Sequence, residues 1–260
     1  IPYSNDNTKY HPVLADSMPP LPLYDGDSVI ETDPDQRLFT KRLTNRAVQF
    51  IENHKDEPFF LYVPHIMPHV PIFASDRFQG KSARGLYGDV IEEIDWSVGE
   101  IVKTIDRLSL TENTLVIFTN DNGPFLSYGT HAGQSGALRG GKLTTFEGGV
   151  RVPMVARWPG QIPAGHTCST PIISIDLLPT FCHLAHAPLP EKTIDGVNIT
   201  DILQGKTDTV EDRDGLVFYA GSELQAVRDG QWKIHFPHKY LVVNGETRTD
   251  GKPAGYGRLA

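Results

Sequence analysis

The sequence predicts an α/β fold, a sheet flanked by helices, followed by a smaller antiparallel unit at the C-terminal end. Three observations carry this reading. Short continuous runs of aromatic and branched residues, at 59–63 and 115–119, alternate with long stretches of helical period. Apolar residues at 86, 90, 91, 94, 98, 101, 102, 105 and 108 recur at the spacing of one helix face. From Gly215 onward the texture changes to four short strand-like segments separated by turns.

Composition narrows the class further. A chain of 260 residues, 39% hydrophobic, can bury a core without staples and is expected to form one large domain or little more. Its net charge of −8 and the lack of any Lys/Arg-rich run disfavour a nucleic-acid or anionic-membrane partner. The apolar runs are far short of the roughly 20 residues a membrane-spanning helix needs. Two cysteines, Cys168 and Cys182, are too few for a disulfide framework and lack metal-ligand spacing. Both ends of the chain look cut: Ile1 is no initiator, and residues 251–260 stop in a turn-rich stretch without a closing strand or helix.

The elements follow in order. Residues 1–32 are proline-rich and aperiodic, which suits an ordered surface loop. A helix is expected near Asp33-Pro34, aspartate as cap and proline in the first turn, with Leu38, Phe39, Leu43, Ala47, Val48 and Ile51 on its apolar face. Residues 59–63 read as a buried parallel strand. The strong helical segment spans 86–108, and Thr111-Glu112-Asn113 turns the chain into a second buried strand at 115–119. Residues 154–158 give a third strand, and 173–185 a helix interrupted at Pro179. Segments 216–219, 224–228, 232–236 and 240–243 read as antiparallel strands, with Asp229-Gly230 as a hairpin turn. Asp95 and Asp176, inside otherwise apolar helices, read as buried structural partners.

Chemistry is expected just past the strand ends, where open α/β sheets bind ligands. After the second strand come Asn120-Asp121-Asn122-Gly123-Pro124. Asp121 offers a carboxylate and Asn122 an amide oxygen, hard donors suited to Ca²⁺ or Mg²⁺, although the same residues also make a plain turn. The glycine-rich stretch at 131–142 lacks the P-loop order because Leu143, not Ser or Thr, follows Lys142. What remains is a tightly turned segment that delivers Arg139 and Lys142, and a lysine is a compact point charge suited to an anionic oxygen. Glu147 and Arg151, four apart, read as a bracing ion pair. After the first strand, Pro64-His65-Ile66-Met67-Pro68-His69-Val70-Pro71 offers two histidines as proton donors or ligands. Asn198-Ile199-Thr200 matches a glycosylation sequon, a pattern frequent by chance.

Three segments, taken in this order, resemble the formylglycine-dependent sulfatases, arylsulfatase A-like members above all. They are Phe59-Phe60-Leu61-Tyr62 with Pro68-His69-Val70-Pro71, then Thr119-Asn120-Asp121-Asn122-Gly123-Pro124, then Gly141-Lys142-Leu143-Thr144-Thr145-Phe146-Glu147-Gly148-Gly149-Val150-Arg151-Val152-Pro153. Arg157-Trp158-Pro159-Gly160, Ile175-Asp176-Leu177-Leu178-Pro179-Thr180 and the stretch 225–233 extend the likeness along nearly the whole chain. The resemblance implies an alkaline-phosphatase-like α/β fold, with residues 1–210 as a partial catalytic domain and 211–260 as the start of a C-terminal antiparallel subdomain. It implies hydrolysis of a sulfate monoester on a small molecule or glycan, with a divalent cation, usually Ca²⁺. By motif match Asp121 and Asn122 are metal ligands, Lys142 contacts the sulfate, and His69 touches the sulfate or leaving-group side; His65 matches less well. An exported or lysosomal-type compartment is implied too.

One departure stands out. The family's nucleophile is a formylglycine made from cysteine in a Cys-x-Pro-x-Arg pattern, and neither Cys168-Ser169-Thr170 nor Cys182-His183-Leu184 fits it. The nucleophile and an early aspartate pair are therefore expected upstream of Ile1, and the chain by itself is expected to be an inactive fragment. Two other readings remain open: a metal-dependent phosphodiesterase or phosphatase of the same superfold, and a non-catalytic binding protein. The first of these generally builds a two-metal site from more histidines and aspartates than the single Asp-Asn pair evident here.

Overall fold

The structure is a computed structural model that describes residues 20–210 and 213–259. In chain order the strands are β1 (Pro22–Asp25), β2 (Ser28–Thr32), β3 (Val116–Thr119), β4 (Met154–Arg157), β5 (Leu216–Ala220), β6 (Glu223–Asp229), β7 (Trp232–His235), β8 (Tyr240–Asn244) and β9 (Gly255–Leu259). The helices are α1 (Phe39–Asn53), α2 (Gly85–Arg107), α3 (Glu147–Val150), α4 (Leu177–Leu184) and α5 (Thr200–Leu203). Every ladder is antiparallel: β1 with β2, β3 with β4, β5–β6–β7, and β8 with β9. The chain forms two compact units, each built from separate stretches. One comprises Ile1–Leu110, Asp121–Val152 and Lys239–Ala260; the other comprises Thr111–Asn120 and Pro153–His238.

In the first unit α1 and α2 pack along each other. Phe39, Ala47 and Ile51 of α1 and Val90, Ile94 and Ile105 of α2 form the buried seam. The helix expected at Asp33-Pro34 starts later. Asp33 takes a left-handed φ of 50° and closes the β1–β2 hairpin, accepting the Leu21 N–H at 3.0 Å, while Asp35 caps the 3-10 turn before α1 by accepting from the Arg37 N–H. That hairpin also replaces the expected loop over residues 20–32; residues 1–19 lie outside the described residues.

Buried carboxylates on α2 staple a loop. Asp89, 2% exposed, accepts the N–H groups of Gly80, Lys81 and Ser82 at 2.8, 2.9 and 2.7 Å. Burial alone would raise its pKa; the three N–H donors outweigh burial and hold it below the usual carboxylate range. Glu93 accepts the Ser75 N–H at 2.8 Å. Asp95, by contrast, is exposed, so it is not a buried partner. One turn of register decides this: 89 and 93 share the inward face, and 95 does not.

Residues 59–63 do not form a buried parallel strand. No ladder is assigned there, and Phe60 and Tyr62 are 71% and 75% exposed while 59, 61 and 63 are half-buried. A parallel strand is buried only when both faces are covered and both edges paired; among the described residues this segment has one covered face.

In the second unit the expected strands at 115–119 and 154–158 pair as β3 and β4, half-buried, with Val116 opposite Arg157 and Thr119 opposite Met154. Pro179 does not interrupt its helix. It sits in the first turn of α4, where the missing N–H has no intrahelical partner to lose, and a 3-10 turn, Ser174–Asp176, precedes it. Asp176 is fully buried and accepts the N–H groups of Ile173 and Val197 at 2.9 and 3.1 Å together with the guanidinium of Arg213, itself 9% exposed. The hairpin turn at Asp229-Gly230 joins β6 to β7, with Gly230 at φ 53°. The stretch after residue 250 does end in a strand, β9, which pairs with β8 from Tyr240↔Leu259 to Asn244↔Gly255.

Removing Asp176 leaves a buried guanidinium uncompensated and two backbone donors without an acceptor. Asp176→Ala is expected to cost about 3–5 kcal/mol in urea unfolding. The control Asp95→Ala, at an exposed position, is expected to stay within about 0.5 kcal/mol of the parent.

Candidate functional site

All four singled-out side chains belong to the first unit. Asp121 is exposed and Asn122 half-buried at the start of a loop that runs to Phe125. Lys142 is half-buried on the loop before α3. These two loops are knitted together by their backbones. The Lys142 N–H donates to the Pro124 carbonyl at 2.8 Å and the Gly123 N–H to the Gly149 carbonyl at 2.9 Å, while within the second loop the Gly148 N–H donates to the Arg139 carbonyl at 2.8 Å. Such close approach needs glycine. A Cβ on Gly123 would overlap the Gly148 carbonyl oxygen, one on Gly141 the Pro124 oxygen, one on Gly148 the Gly140 oxygen, and one on Gly149 the Thr144 oxygen. The glycine-rich text is thus an interlock of main chains.

Charge sits on this frame. The Lys142 ammonium lies 5.2 Å over the Phe125 ring, so the 121–125 loop also braces the lysine side chain. Leu143, next in sequence, is held at φ 73°, a left-handed conformation that costs a branched-chain residue roughly 1–2 kcal/mol. The Arg139 guanidinium stacks 3.9 Å over Phe146 and donates to the Tyr240 hydroxyl at 2.9 Å; Phe146 and Tyr240 meet edge to face at 4.9 Å. Arg139 and Lys142 then line a cavity of about 260 Å³ with Phe146, Tyr240, Leu241 and Val242. Arg139 and Tyr240 are 101 residues apart, so no local signal announces this wall. Within the third motif, the N–H of Arg151 donates to the Glu147 carbonyl at 2.8 Å.

His69 sits in a loop closed by its own N–H on the Ile66 carbonyl at 3.0 Å, between buried Met67 and Val70. Its Nδ1 is 2.7 Å from the Val70 carbonyl. A carbonyl only accepts, so Nδ1 carries a proton and Nε2 is the nitrogen that can exchange one. The two bonds that knit 123–124 to 139–149 do not include the His69 loop. His65 is a structural residue: Nε2 is 3.1 Å from Ser97 Oγ, itself 2.6 Å from Thr44 Oγ1, at the α1–α2 seam. Burial holds the His65 pKa below the ordinary imidazole value. The unfolded chain therefore binds the proton first, and the stability tied to neutral His65 is present above about pH 6.5 and lost as pH falls below it.

As a donor set, Asp121 and Asn122 supply one carboxylate and one amide oxygen. Both are hard oxygens that fit Ca²⁺, but Ca²⁺ takes about 6–8 ligands. Among the described residues no cluster of three or more His, Cys, Asp or Glu side chains is placed to hold a metal ion. The pair fits part of a coordination shell.

The interlock makes a testable demand. Gly123→Ala pushes a methyl group into backbone that cannot rotate away, and it is expected to cost about 1–3 kcal/mol in denaturant unfolding. Gly99→Ala on α2 meets open space and is expected to be neutral or stabilising by up to about 1 kcal/mol. Equal effects of the two would remove the interlock.

The comparisons bear on family and fold. The sequence profile of the sulfatase family matches residues 2–187, and that of the N-sulphoglucosamine sulphohydrolase C-terminal region matches residues 141–236. Steryl-sulfatase of Homo sapiens is 43% identical over 195 residues, covering 73% of this chain and 33% of that protein. Arylsulfatase A of Homo sapiens is 45% identical over 187 residues (70% and 36%), and that of Bos taurus 39% over 259 residues (91% and 50%). The chain thus spans between 33% and 50% of the length of these relatives. The crystal structure of the PsFucS1 sulfatase from Pseudoalteromonas sp. superposes with a TM-score of 0.78 at 28% identity, covering 91% of this chain and 47% of that one. That of Ps i-CgsB in complex with k-i-k-neocarrahexaose gives 0.68 at 33% identity, covering 83% and 48%. The fold is therefore the alkaline-phosphatase-like α/β fold expected from the motifs. With the family profile spanning residues 2–187 and the motif loops interlocked, this chain belongs to the sulfatase family.

Proposed function

We propose that the chain carries the anion-holding part of a sulfuric ester hydrolase acting on a sulfated small molecule or glycan. The observation that supports this most is the interlock, because it sets the loop of Asp121 and Asn122 against the loop of Lys142 through the Lys142 N–H to Pro124 bond of 2.8 Å. Asp121 and Asn122 would hold a divalent cation, Ca²⁺ in first place and Mg²⁺ in second. Such an ion would supply fixed positive charge to a sulfate oxygen. Lys142 contacts a sulfate oxygen as a point charge, its direction set by Phe125 and by the turn at Leu143. Cleavage drives negative charge onto the leaving oxygen, and His69, in its imidazolium form, gives that oxygen the Nε2 proton and returns to the neutral ring with Nδ1–H on Val70. A cation held ready where charge develops lowers the barrier without reorganisation.

The nucleophile is proposed to come from outside these residues, as a formylglycine, because neither Cys168 nor Cys182 stands in the required pattern. An exported or lysosomal-type location belongs to the same reading. No helix among the described residues is long and apolar enough to cross a membrane.

Two measurements test the roles. With the upstream segment joined, Ca²⁺ binding by calorimetric titration is expected to weaken at least tenfold in Asp121→Asn and to be unchanged in Asp95→Asn; equal affinity in all three would discard the cation assignment. With a formylglycine-bearing segment joined upstream, Lys142→Ala is expected to lower kcat for 4-nitrophenyl sulfate about 100- to 1,000-fold, the usual loss on removing one charge-stabilising donor. A parental rate in a folded variant would remove the sulfate contact.

A further inference from the structure

A second cavity, also about 260 Å³, lies in the first unit and shares no lining residue with the one beside Lys142. Its walls come from the start of α1, the loop at 75–78 and α2, and include Arg37, Lys41, Asp76, Arg77, Glu93 and Trp96. It falls just below the roughly 300–1,000 Å³ of pockets for drug-sized ligands, so its scale is that of a single small group.

Glu93 is the unusual member. It is 1% exposed; one carboxylate oxygen accepts the Ser75 N–H at 2.8 Å, and the other, Oε1, is buried with no donor among the described residues. A buried carboxylate oxygen without a donor is costly, and such groups are nearly always satisfied by protein, water or ligand. The surrounding charge is mixed but positive in balance: Arg37, Lys41 and Arg77 against one further carboxylate, Asp76. Arg37 is occupied by Asp35, at 2.7 Å, and by Asp76, at 3.2 Å. Lys41 and Arg77 have no hydrogen bond or ion pair with an acceptor among the described residues. The Arg77 guanidinium lies 5.1 Å from the centroids of both Phe78 and Trp96. Stacking uses the faces of the guanidinium and leaves its N–H edges for a planar or tetrahedral oxyanion.

Asp76 is paired with Arg37, so Glu93 asks for a hydrogen-bond donor while Lys41 and Arg77 ask for negative oxygens. We propose that this cavity binds a small anion that carries its own hydroxyl, the O–H donated to Glu93 and the anionic oxygens held by Arg77 and Lys41. Hydrogen phosphate and a sugar acid both meet this demand. Inorganic sulfate, which has no proton to give at neutral pH, sets an oxygen against Glu93 and is selected against. The site is independent of the proposed ester hydrolysis, which is assigned to other residues.

The test is calorimetry on the chain carrying Lys142→Ala, so that the other anion site contributes no heat, with inorganic phosphate, glucuronate and inorganic sulfate as probes. Phosphate or glucuronate is expected to bind at least tenfold more tightly than sulfate; phosphate alone identifies an inorganic anion, and glucuronate alone a sugar acid. Arg77→Ala is expected to lose at least tenfold. Glu93→Gln keeps an acceptor for Ser75 but offers a donor in place of Oε1, and it is expected to bring sulfate within about threefold of the preferred probe. If that variant fails to fold, Arg77→Ala and Lys41→Ala, on the surface, carry the test. Failure of all three probes to bind, sulfate binding as tightly as the others, or parental affinity in Arg77→Ala would overturn the proposal.

Discussion

Two loops that carry the polar side chains of this chain lie together because four positions between them have no Cβ. Gly123, Gly141, Gly148 and Gly149 let main-chain atoms approach to hydrogen-bond distance where any side chain would overlap a carbonyl oxygen. This constraint comes before any chemistry. It fixes the spacing of the 121–124 loop from the Lys142 backbone, next to Leu143 in its left-handed turn. Aromatic rings then restrict the cations: Phe125 lies under Lys142, and Phe146 with Tyr240 receives Arg139. Main chain sets position and rings set direction. Little mobility is left to remove when an anion arrives, which is the condition under which fixed charge is most effective.

Buried carboxylates extend the same logic to the rest of the fold. Asp89 and Glu93 project from one face of α2 and gather the N–H groups of the 75–82 loop, while Asp176 gathers those of Ile173 and Val197 around Arg213. Each replaces backbone pairing that a loop lacks, so irregular segments are held without ladders. The C-terminal stretch is tied in a related way. Thr130 donates to the Arg248 carbonyl at 3.1 Å and Ala254 to the Ser127 carbonyl at 2.7 Å, and the Arg248 guanidinium holds the Asp250 carboxyl down at about 2.

Much of this was legible in the sequence where the signal was local. The eight apolar positions of α2, the runs that became β3 and β4, the Asp-Gly hairpin and the buried role of Asp176 all follow from period, branching or turn chemistry within a few residues. What could not be read depends on distant partners. An apolar run at 59–63 looks like a buried strand until its neighbours are counted, and Asp95 looks buried until the helix phase is fixed by its packing. The β9 sequence, Gly255-Tyr256-Gly257-Arg258-Leu259, has two glycines and a weak strand signal, yet it pairs because β8 presents an open edge. In the candidate site the glycines were visible as text, but their meaning as an interlock was not. The wall that Tyr240 adds beside Arg139 required the fold.

The central claim is that a cation at Asp121 and Asn122, the Lys142 ammonium and the His69 imidazole face one anion. Gadolinium, a paramagnetic stand-in for Ca²⁺ with the same taste for hard oxygens, tests it directly by NMR. With one equivalent bound to the chain joined to its upstream segment, the signals of Asn122, Lys142 and the His69 ring are expected to broaden strongly, those of Asp95 to stay sharp, and the pattern to vanish in Asp121→Asn. Sharp Lys142 and His69 signals in the metal-bound chain would contradict it.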